Sequence, residues 1–373
     1  MHIVVNTRLL LKNKLEGIGW YTFETLTRIT QNHPEHRFTF LFDRPFSDEF
    51  IFSDNVKGVV LSPPSRHPFL WYIWFQISVK RFLKRVKPDI FVSPDGYLPL
   101  NINIPKLAVI HDINFRHFPK DFPFWSKKYY NYFFPRFAKQ ADSIVTVSEF
   151  SKKDIIDAYQ IKSEKIKVTY NGCNTIYKPA LESTKQSIRK RLTGGSDYFI
   201  YIGALNPRKN ILNLLKAFDL FKENYNNDFK LVIVGEKMFG TKPIESTYNN
   251  LKYKDNIVFT GRLNPEDLIN VLGSAYALTF PSNFEGFGIP ILEAFHCEVP
   301  VITSNVTSMP EVAGDAALLV DPFSVESITE AMLKLAGNEE LKKELILRGN
   351  KQKELFSWDK TAEGLWQTIQ KTV

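Results

Sequence analysis

The stretch Phe280-Pro-Ser-Asn-Phe-Glu-Gly-Phe-Gly-Ile-Pro-Ile-Leu-Glu-Ala-Phe295 decides the fold, because it joins a strand end, a glycine loop, a helix start and two carboxylates. The apolar run 275–280 has strand composition, Gly286 and Gly288 permit a tight backbone path, and Pro290 suits the first position of a helix. Such a strand-loop-helix unit turns free N–H groups and a positive dipole end toward whatever fills the loop, so an anion such as phosphate is its natural guest. Glu285 and Glu293 frame that guest. A carboxylate in the loop accepts hydrogen bonds from sugar hydroxyls, and one placed a turn into the helix points back toward the mouth. The spacing leaves a plainer reading open, in which Glu293 complements a helix start and Glu285 is a solvated loop residue.

Outward from this stretch, apolar strands alternate with amphipathic helices, which argues for parallel α/β sheets. Strands are expected near 3–6, 38–42, 59–61, 90–93, 107–110, 144–147 and 166–170, then near 198–202, 230–234, 257–260, 275–280, 301–303 and 317–320. The polar segment 177–196, with Pro179 and Gly194-Gly195, reads as a linker. At about 150 residues per domain, 373 residues make two domains, each with its own core. The expected division is a first domain over 1–178, a second over 179–356 and a final amphipathic helix over 357–373, opened by Ser357-Trp-Asp-Lys. Two Rossmann-like domains with a cleft between them follow, with ligands beyond the carboxyl ends of the strands.

Apolar content of 44% and charged content of 24% are ordinary for a soluble globular chain. Cys173 and Cys297 lie far apart in sequence without metal-ligand spacing, which fits a reducing compartment. With a strand entered by His2 and no apolar run of about 18 residues, a cytoplasmic protein is expected. Net charge is unevenly shared: 26 − 16 = +10 over residues 1–178 and 22 − 24 = −2 over 179–373. An anionic partner for the first half is one reading and general solubility the other. Two stretches mix rings with cations: His67–Lys87, at helical spacing, and Phe124–Phe134. They suit an anionic membrane surface, or else Trp71, Phe75 and Phe82 simply pack on the sheet.

Glu285-Gly-Phe-Gly-Ile-Pro-Ile-Leu-Glu293 resembles the E-x7-E signature of the retaining glycosyltransferases of family 4, whose GT-B fold has two facing Rossmann-like domains. The resemblance runs from the first strand to the last helix, with its blocks in the family's order. Leu15-Glu-Gly-Ile-Gly19, before an expected helix over 20–30, is similar to the family's Gly-x-Gly loop, which implies that Gly17 and Gly19 approach donor phosphate and acceptor. Many relatives have Thr where Glu16 stands. The family keeps a His against the donor sugar where His111 ends a strand; Asp112, next in the chain, is expected to orient it. The segments 147–155 and 170–173 match blocks read as architectural, with Ser148 or Ser151 as a helix cap.

In the second half, Tyr201-Ile-Gly-Ala-Leu-Asn-Pro-Arg-Lys-Asn210 places Arg208 and Lys209 between a strand and a helix, where paired cations reach a diphosphate. By resemblance Gly286, Phe287, Gly288 and Glu293 hold the donor, Glu293 on the ribose. Loops at Val234-Gly-Glu-Lys237 and at Gly261 and Arg262 line the nucleoside, blocks 304–312 and 320–322 support the floor, and the resemblance implies that the final helix over 357–373 packs back across the cleft. The implied activity is transfer of a hexose, mannose favoured as from GDP-mannose, from a nucleotide-diphosphate sugar to a saccharide or lipid-diphosphate-linked acceptor in surface polysaccharide synthesis. Fixed cations and helix N–H groups can stabilise the leaving phosphate and the chain has no Asp-x-Asp motif, so no metal and no cofactor beyond the nucleotide sugar is expected. The resemblance also implies a cytoplasmic protein, peripheral on the inner membrane face. A phosphorylase or sugar-phosphate-dependent synthase of the same fold is the near alternative, and a non-catalytic anion-binding protein the far one. A nicotinamide dehydrogenase lacks its Gly-x-Gly-x-x-Gly, and a nucleic-acid module leaves the Glu285 loop unexplained.

Overall fold

Residues 1–225, 228–236 and 242–373 are described by the computed structural model of the chain. They divide into two compact units, one of Met1–Gly172 with Ser357–Val373 and one of Cys173–Phe356. The division therefore falls at Gly172, ahead of the residue-178 boundary read from the sequence.

The first unit holds a parallel sheet of β1 (His2–Asn6), β2 (Arg37–Phe42), β3 (Val56–Val60), β4 (Ile90–Ser93), β5 (Lys106–Val109), β6 (Ser143–Thr146) and β7 (Ile166–Val168), in the order β3-β2-β1-β4-β5-β6-β7. The second holds β8 (Tyr198–Ile202), β9 (Lys230–Val234), β10 (Ile257–Gly261), β11 (Ala277–Phe280), β12 (Val301–Ser304) and β13 (Ala317–Val320), in the order β10-β9-β8-β11-β12-β13. Strand order reverses between β1 and β4 and again between β8 and β11, which are the switch points where sheets of this kind take ligands. Covered on both faces, central strands are apolar throughout: Ile3, Val4, Phe91, Val92, Phe199, Ile200 and Leu278 are fully buried.

All thirteen strands lie where the apolar runs place them, with ends moved by a few residues. The largest shift is β3, which begins at Val56 because Lys57 and Gly58 interrupt its apolar signal yet pair with Thr39 and Phe40. A side chain at Gly58 would lie 2.2 Å from the Phe46 ring, so glycine lets Phe46 cover this edge while stacking on Phe42.

The helix Trp358–Thr372 completes the first unit. It packs along the helix Gly17–Asn32, with Leu365, Trp366 and Ile369 buried, and Trp366 stacks on His33 at 3.8 Å. Ser357 caps it by accepting a hydrogen bond from the Lys360 N–H, and Arg28 meets Asp359 at 2.6 Å. Among the described residues, no helix is long and apolar enough to cross a membrane.

Candidate functional site

At the switch point of the second unit, the loop after β8 and the loop after β11 are sewn together. The Asn283 N–H donates to the Arg208 carbonyl at 2.9 Å, and the Arg208 guanidinium donates to the Phe284 carbonyl. Asn210, in the left-handed conformation, donates its side-chain amide to the Pro281 and Pro322 carbonyls. Asn206 opens the short turn Pro207–Lys209 by accepting from the Lys209 N–H. Four loop positions thus aim two cations at one carboxylate.

Glu285 receives both. Arg208 Nη1 lies 3.1 Å from Oε2, and Lys209 Nζ is paired with Oε1. All three side chains are at least mostly buried, and the cluster carries a net charge of +1. Burial alone would raise the Glu285 pKa, but Lys209 and then Arg208 outweigh it and hold the carboxyl below its ordinary value. Its backbone is fixed too, since the Glu285 N–H donates to Thr307 Oγ1 and Ser308 Oγ donates to the Glu285 and Phe287 carbonyls. The carboxylate read as a sugar binder is thus the counter-ion of the two residues read as phosphate binders. Lys209 Nζ also lies 5.2 Å from the Phe280 ring centroid.

The helix that follows runs Ile289–His296, with Gly288 before it at φ +99° and Pro290 in its first turn. That angle favours glycine, which explains the residue without reference to a ligand. Phe287 is buried and meets Phe356 edge-on at 5.7 Å, so its ring serves packing; Gly286 is buried as well.

Glu293 stands apart from Glu285 in chemistry. Burial raises its pKa to about 7, and a hydrogen bond with the Tyr177 hydroxyl works the other way. Tyr177 had no signal in the sequence, because it lies in a segment that reads as linker. The tyrosine hydroxyl in turn has its pKa raised by burial and by the nearby Glu293 charge.

Other strand ends of this unit close around the same edge. The Gly203 N–H donates to the Val234 carbonyl, the Gly235 N–H to the Gly261 carbonyl and the Leu205 N–H to the Glu236 carbonyl. Gly261 ends β10 at φ +71° with nothing within 4 Å of an added side-chain carbon, and Arg262 is exposed beside it. Lys237 lies outside the described residues. Tyr201, also missed by sequence reasoning, has its hydroxyl buried with no partner among the described residues, and burial with the Glu285 charge raises its pKa.

In the first unit, His111 follows β5. Its Nε2 lies 2.8 Å from the Pro94 carbonyl, which only accepts, so Nε2 carries the hydrogen and Nδ1 is left as an acceptor in the neutral ring. Burial lowers its pKa, which favours that neutral form, and Tyr21 packs edge-on at 4.7 Å. The expected orienting role of Asp112 falls to Pro94 instead: Asp112 accepts from the Asn114 N–H at 2.9 Å. Gly17 and Gly19 belong to the first turn of the helix Gly17–Asn32 rather than to a loop before it. A side chain at Gly19 would come 2.9 Å from the Leu9 carbonyl, a packing reason for glycine, whereas Gly17 has open space. Ser148 caps the helix Glu149–Tyr159 by accepting from the Ser151 N–H.

Two Rossmann-like units, with a doubly cationic carboxylate site before a helix start, define the GT-B class of glycosyltransferase fold. Residues 15–176 match the family model described as Glycosyltransferase Family 4, and residues 183–352 match that described as Glycosyl transferases group 1. The chain belongs to the glycosyltransferases that these two models describe. It is 29% identical to the O-antigen chain mannosyltransferase B of Escherichia coli over 360 residues, covering 94% of each chain. Among solved structures it is similar to a glycosyltransferase from Rickettsia africae, with a TM-score of 0.74 at 18% identity over 100% of this chain and 98% of that one. It is also similar to Anabaena Alr3699/HepE in complex with UDP-glucose, with a TM-score of 0.71 at 16% identity over 100% of both chains.

Proposed function

We propose that the protein is a retaining hexosyltransferase, mannose favoured, that uses a nucleotide-diphosphate sugar and extends a saccharide or lipid-diphosphate-linked saccharide in surface polysaccharide synthesis. The observation that carries this reading is the Arg208–Glu285–Lys209 cluster at the β8/β11 switch point, beside the start of Ile289–His296. The E. coli relative, matched over 94% of both chains, is named as a mannosyltransferase of the O-antigen chain, which supports the sugar and the pathway class. The Anabaena neighbour's complex with UDP-glucose supports a nucleotide-sugar donor.

In this reading the second unit takes the donor and the first the acceptor. The diphosphate displaces part of the Glu285 pairing and draws Arg208 and Lys209 to itself, together with N–H groups at the helix start. Glu285 then turns its freed lone pairs to the hexose hydroxyls, and ionised Glu293 accepts from the ribose. The bond from the sugar C1 to the diphosphate oxygen breaks, a bond from the acceptor oxygen to C1 forms on the same face, and the acceptor proton passes to the departing phosphate oxygen. Fixed cations meet the new phosphate charge, so transfer proceeds without a metal. In the first unit, Nδ1 of His111 offers a sugar hydroxyl an acceptor. A lipid-linked acceptor places the reaction at the inner face of a membrane.

A thermal-shift panel of GDP, UDP, GDP-mannose, UDP-glucose and NAD on the wild type and Glu293→Ala tests the donor. One nucleotide series is expected to raise the wild-type melting temperature and to act far less on the variant. No response, or a response to NAD alone, overturns the proposal. With the stabilising donor and a saccharide acceptor, the product anomer read by NMR reports retention, and EDTA is expected to leave the rate unchanged.

A further inference from the structure

Around the Arg208–Glu285–Lys209 cluster lie polar groups for which transfer, as derived above, has no use. Side-chain oxygens of Tyr201 near the end of β8, of Thr279 in β11 and of Ser282 and Asn283 just past it are buried, with no hydrogen-bond partner among the described residues. Tyr201, Thr279 and Ser282 are fully buried as whole residues. A hydroxyl taken out of water and left unpaired is unfavourable, so such atoms are rare, and here they gather at one switch point.

The chain holds two of them in place. Ser304 Oγ donates to the Ser282 carbonyl at 2.7 Å, while Asn210 holds the Pro281 carbonyl and the Asn283 N–H is tied to Arg208. The Tyr201 ring stacks on Phe280 at 6.1 Å, and its hydroxyl lies against Gly203, where an added side-chain carbon would come within 2.7 Å of the oxygen. Phe280 also has Lys209 Nζ 5.2 Å from its centroid, so ring, ring and cation lead from Tyr201 to the partner of Glu285. Burial and then the Glu285 charge raise the Tyr201 pKa, which keeps its proton available for donation. Burial would lift the Glu285 carboxyl; Lys209 and Arg208 oppose this first, and Ser282 helps, although its Oγ stands outside hydrogen-bond geometry.

We infer that the Tyr201 and Ser282 hydroxyls are reserve donors for Glu285, which bond its carboxylate when the substrate's diphosphate draws Arg208 and Lys209 away. A buried carboxylate stripped of two cations would otherwise take up a proton and lose lone pairs that the hexose needs. Both are positioning residues, since they act through Glu285. The inference deepens the transferase reading and rests on it. The charged and titratable groups facing Glu285 are Lys209 and Arg208 from the loop after β8 and Tyr201 from β8, while Thr307 and Ser308, after β12, bond its backbone.

The test compares the full-length wild type with Tyr201→Phe, Ser282→Ala and the double variant. Melting is followed alone and with GDP, UDP, GDP-mannose and UDP-glucose, and calorimetry then gives Kd for the stabilising nucleotide sugar from about pH 4.5 to 8. Each variant is expected to melt about 2 °C or more above the wild type without nucleotide, because an unpaired buried hydroxyl is gone. Each is expected to bind the nucleotide sugar about tenfold more weakly, because a hydrogen bond to a charge is lost. The low-pH limb of binding, where Glu285 takes up its proton, should move up by about one unit in the double variant, whereas the effect of Glu293 is common to all four proteins. Variants that melt no higher than the wild type have hydroxyls already satisfied by ordered water, which overturns the inference. Unchanged affinity and an unmoved limb, with a wild type that responds to nucleotide, overturn the inference alone. A wild type that responds to no nucleotide overturns the transferase reading and this inference with it.

Discussion

Two glutamates eight positions apart have their pKa values pushed in opposite directions by what surrounds them. Glu285 is held low by two cations, so its contribution to stability is present above the unfolded carboxyl value and lost as pH falls through its lower folded value. Glu285→Gln leaves Arg208 and Lys209 partly buried without their counter-ion and is expected to cost about 3 kcal/mol, read as the drop in chemical-denaturation free energy at pH 7. Saturating nucleoside diphosphate should restore a larger share of that loss in the variant than it adds to the wild type. Glu293 behaves in the reverse sense. Its folded pKa of about 7 exceeds the unfolded value near 4.5, so it favours the fold below the lower value and loses that contribution as pH rises through 7. Glu293→Gln is therefore expected to flatten the stability–pH curve between about 5 and 7.5 and to gain about 1–2 kcal/mol at pH 8 without ligand. The identities of Arg208, Lys209, Glu285 and Glu293 were legible in the chain as residues of the right type beside strand ends. Their mutual contacts were not, since Lys209 and Glu285 are separated by most of a sheet and Tyr177 carries no local signal at all.

Strands were the most legible elements, because a buried parallel strand needs an unbroken apolar run and little else. Where a cation or glycine interrupts the run, as at Lys57 and Gly58, the element extends past what the pattern shows. Helix starts were less legible: Gly17 and Gly19 read as a loop, yet backbone geometry draws them into the helix Gly17–Asn32. Nor does periodicity alone say which rings of Pro68–Val86 turn inward, since a π-helical turn shifts the faces partway along. The loops after β8, β9 and β10 lean on each other through backbone hydrogen bonds, and Gly235 sits where a side-chain carbon would lie 1.9 Å from the Gly203 carbonyl oxygen. Gly235→Ala is expected to force these loops apart, lowering the melting temperature and abolishing nucleotide stabilisation together. Gly17→Ala, with open space around it, should leave the melting temperature within about a degree of wild type, so any loss of transfer it causes would belong to substrate.

The second unit is one continuous segment, Cys173–Phe356, whereas the first is assembled from two. A protein of residues 173–356 is expected to melt cooperatively and to keep the nucleotide response of the full chain, because the Arg208–Glu285–Lys209 cluster and the Glu293–Tyr177 pair lie wholly within it. Residues 1–172 alone should not fold. They lack Trp358, Leu365, Trp366 and Ile369, whose burial is worth roughly 6–12 kcal/mol, comparable with the whole stability of a domain. The amphipathic pattern showed this closing helix but not its allegiance, since an amphipathic face does not name the surface that covers it; its return across the cleft was implied by the family resemblance.

That allegiance sets an order of events during synthesis. Once the ribosome has released residues 1–172, the seam on Gly17–Asn32 stays uncovered until Trp358–Thr372 has been made. At translation speeds of about 5–20 residues per second, that wait lasts roughly 10–40 s, long enough for the intervening unit to emerge and fold. The nascent chain would thus finish its middle before its beginning. In that interval the open seam is where a chaperone would find it, and a premature stop before Trp358 would make the exposure permanent.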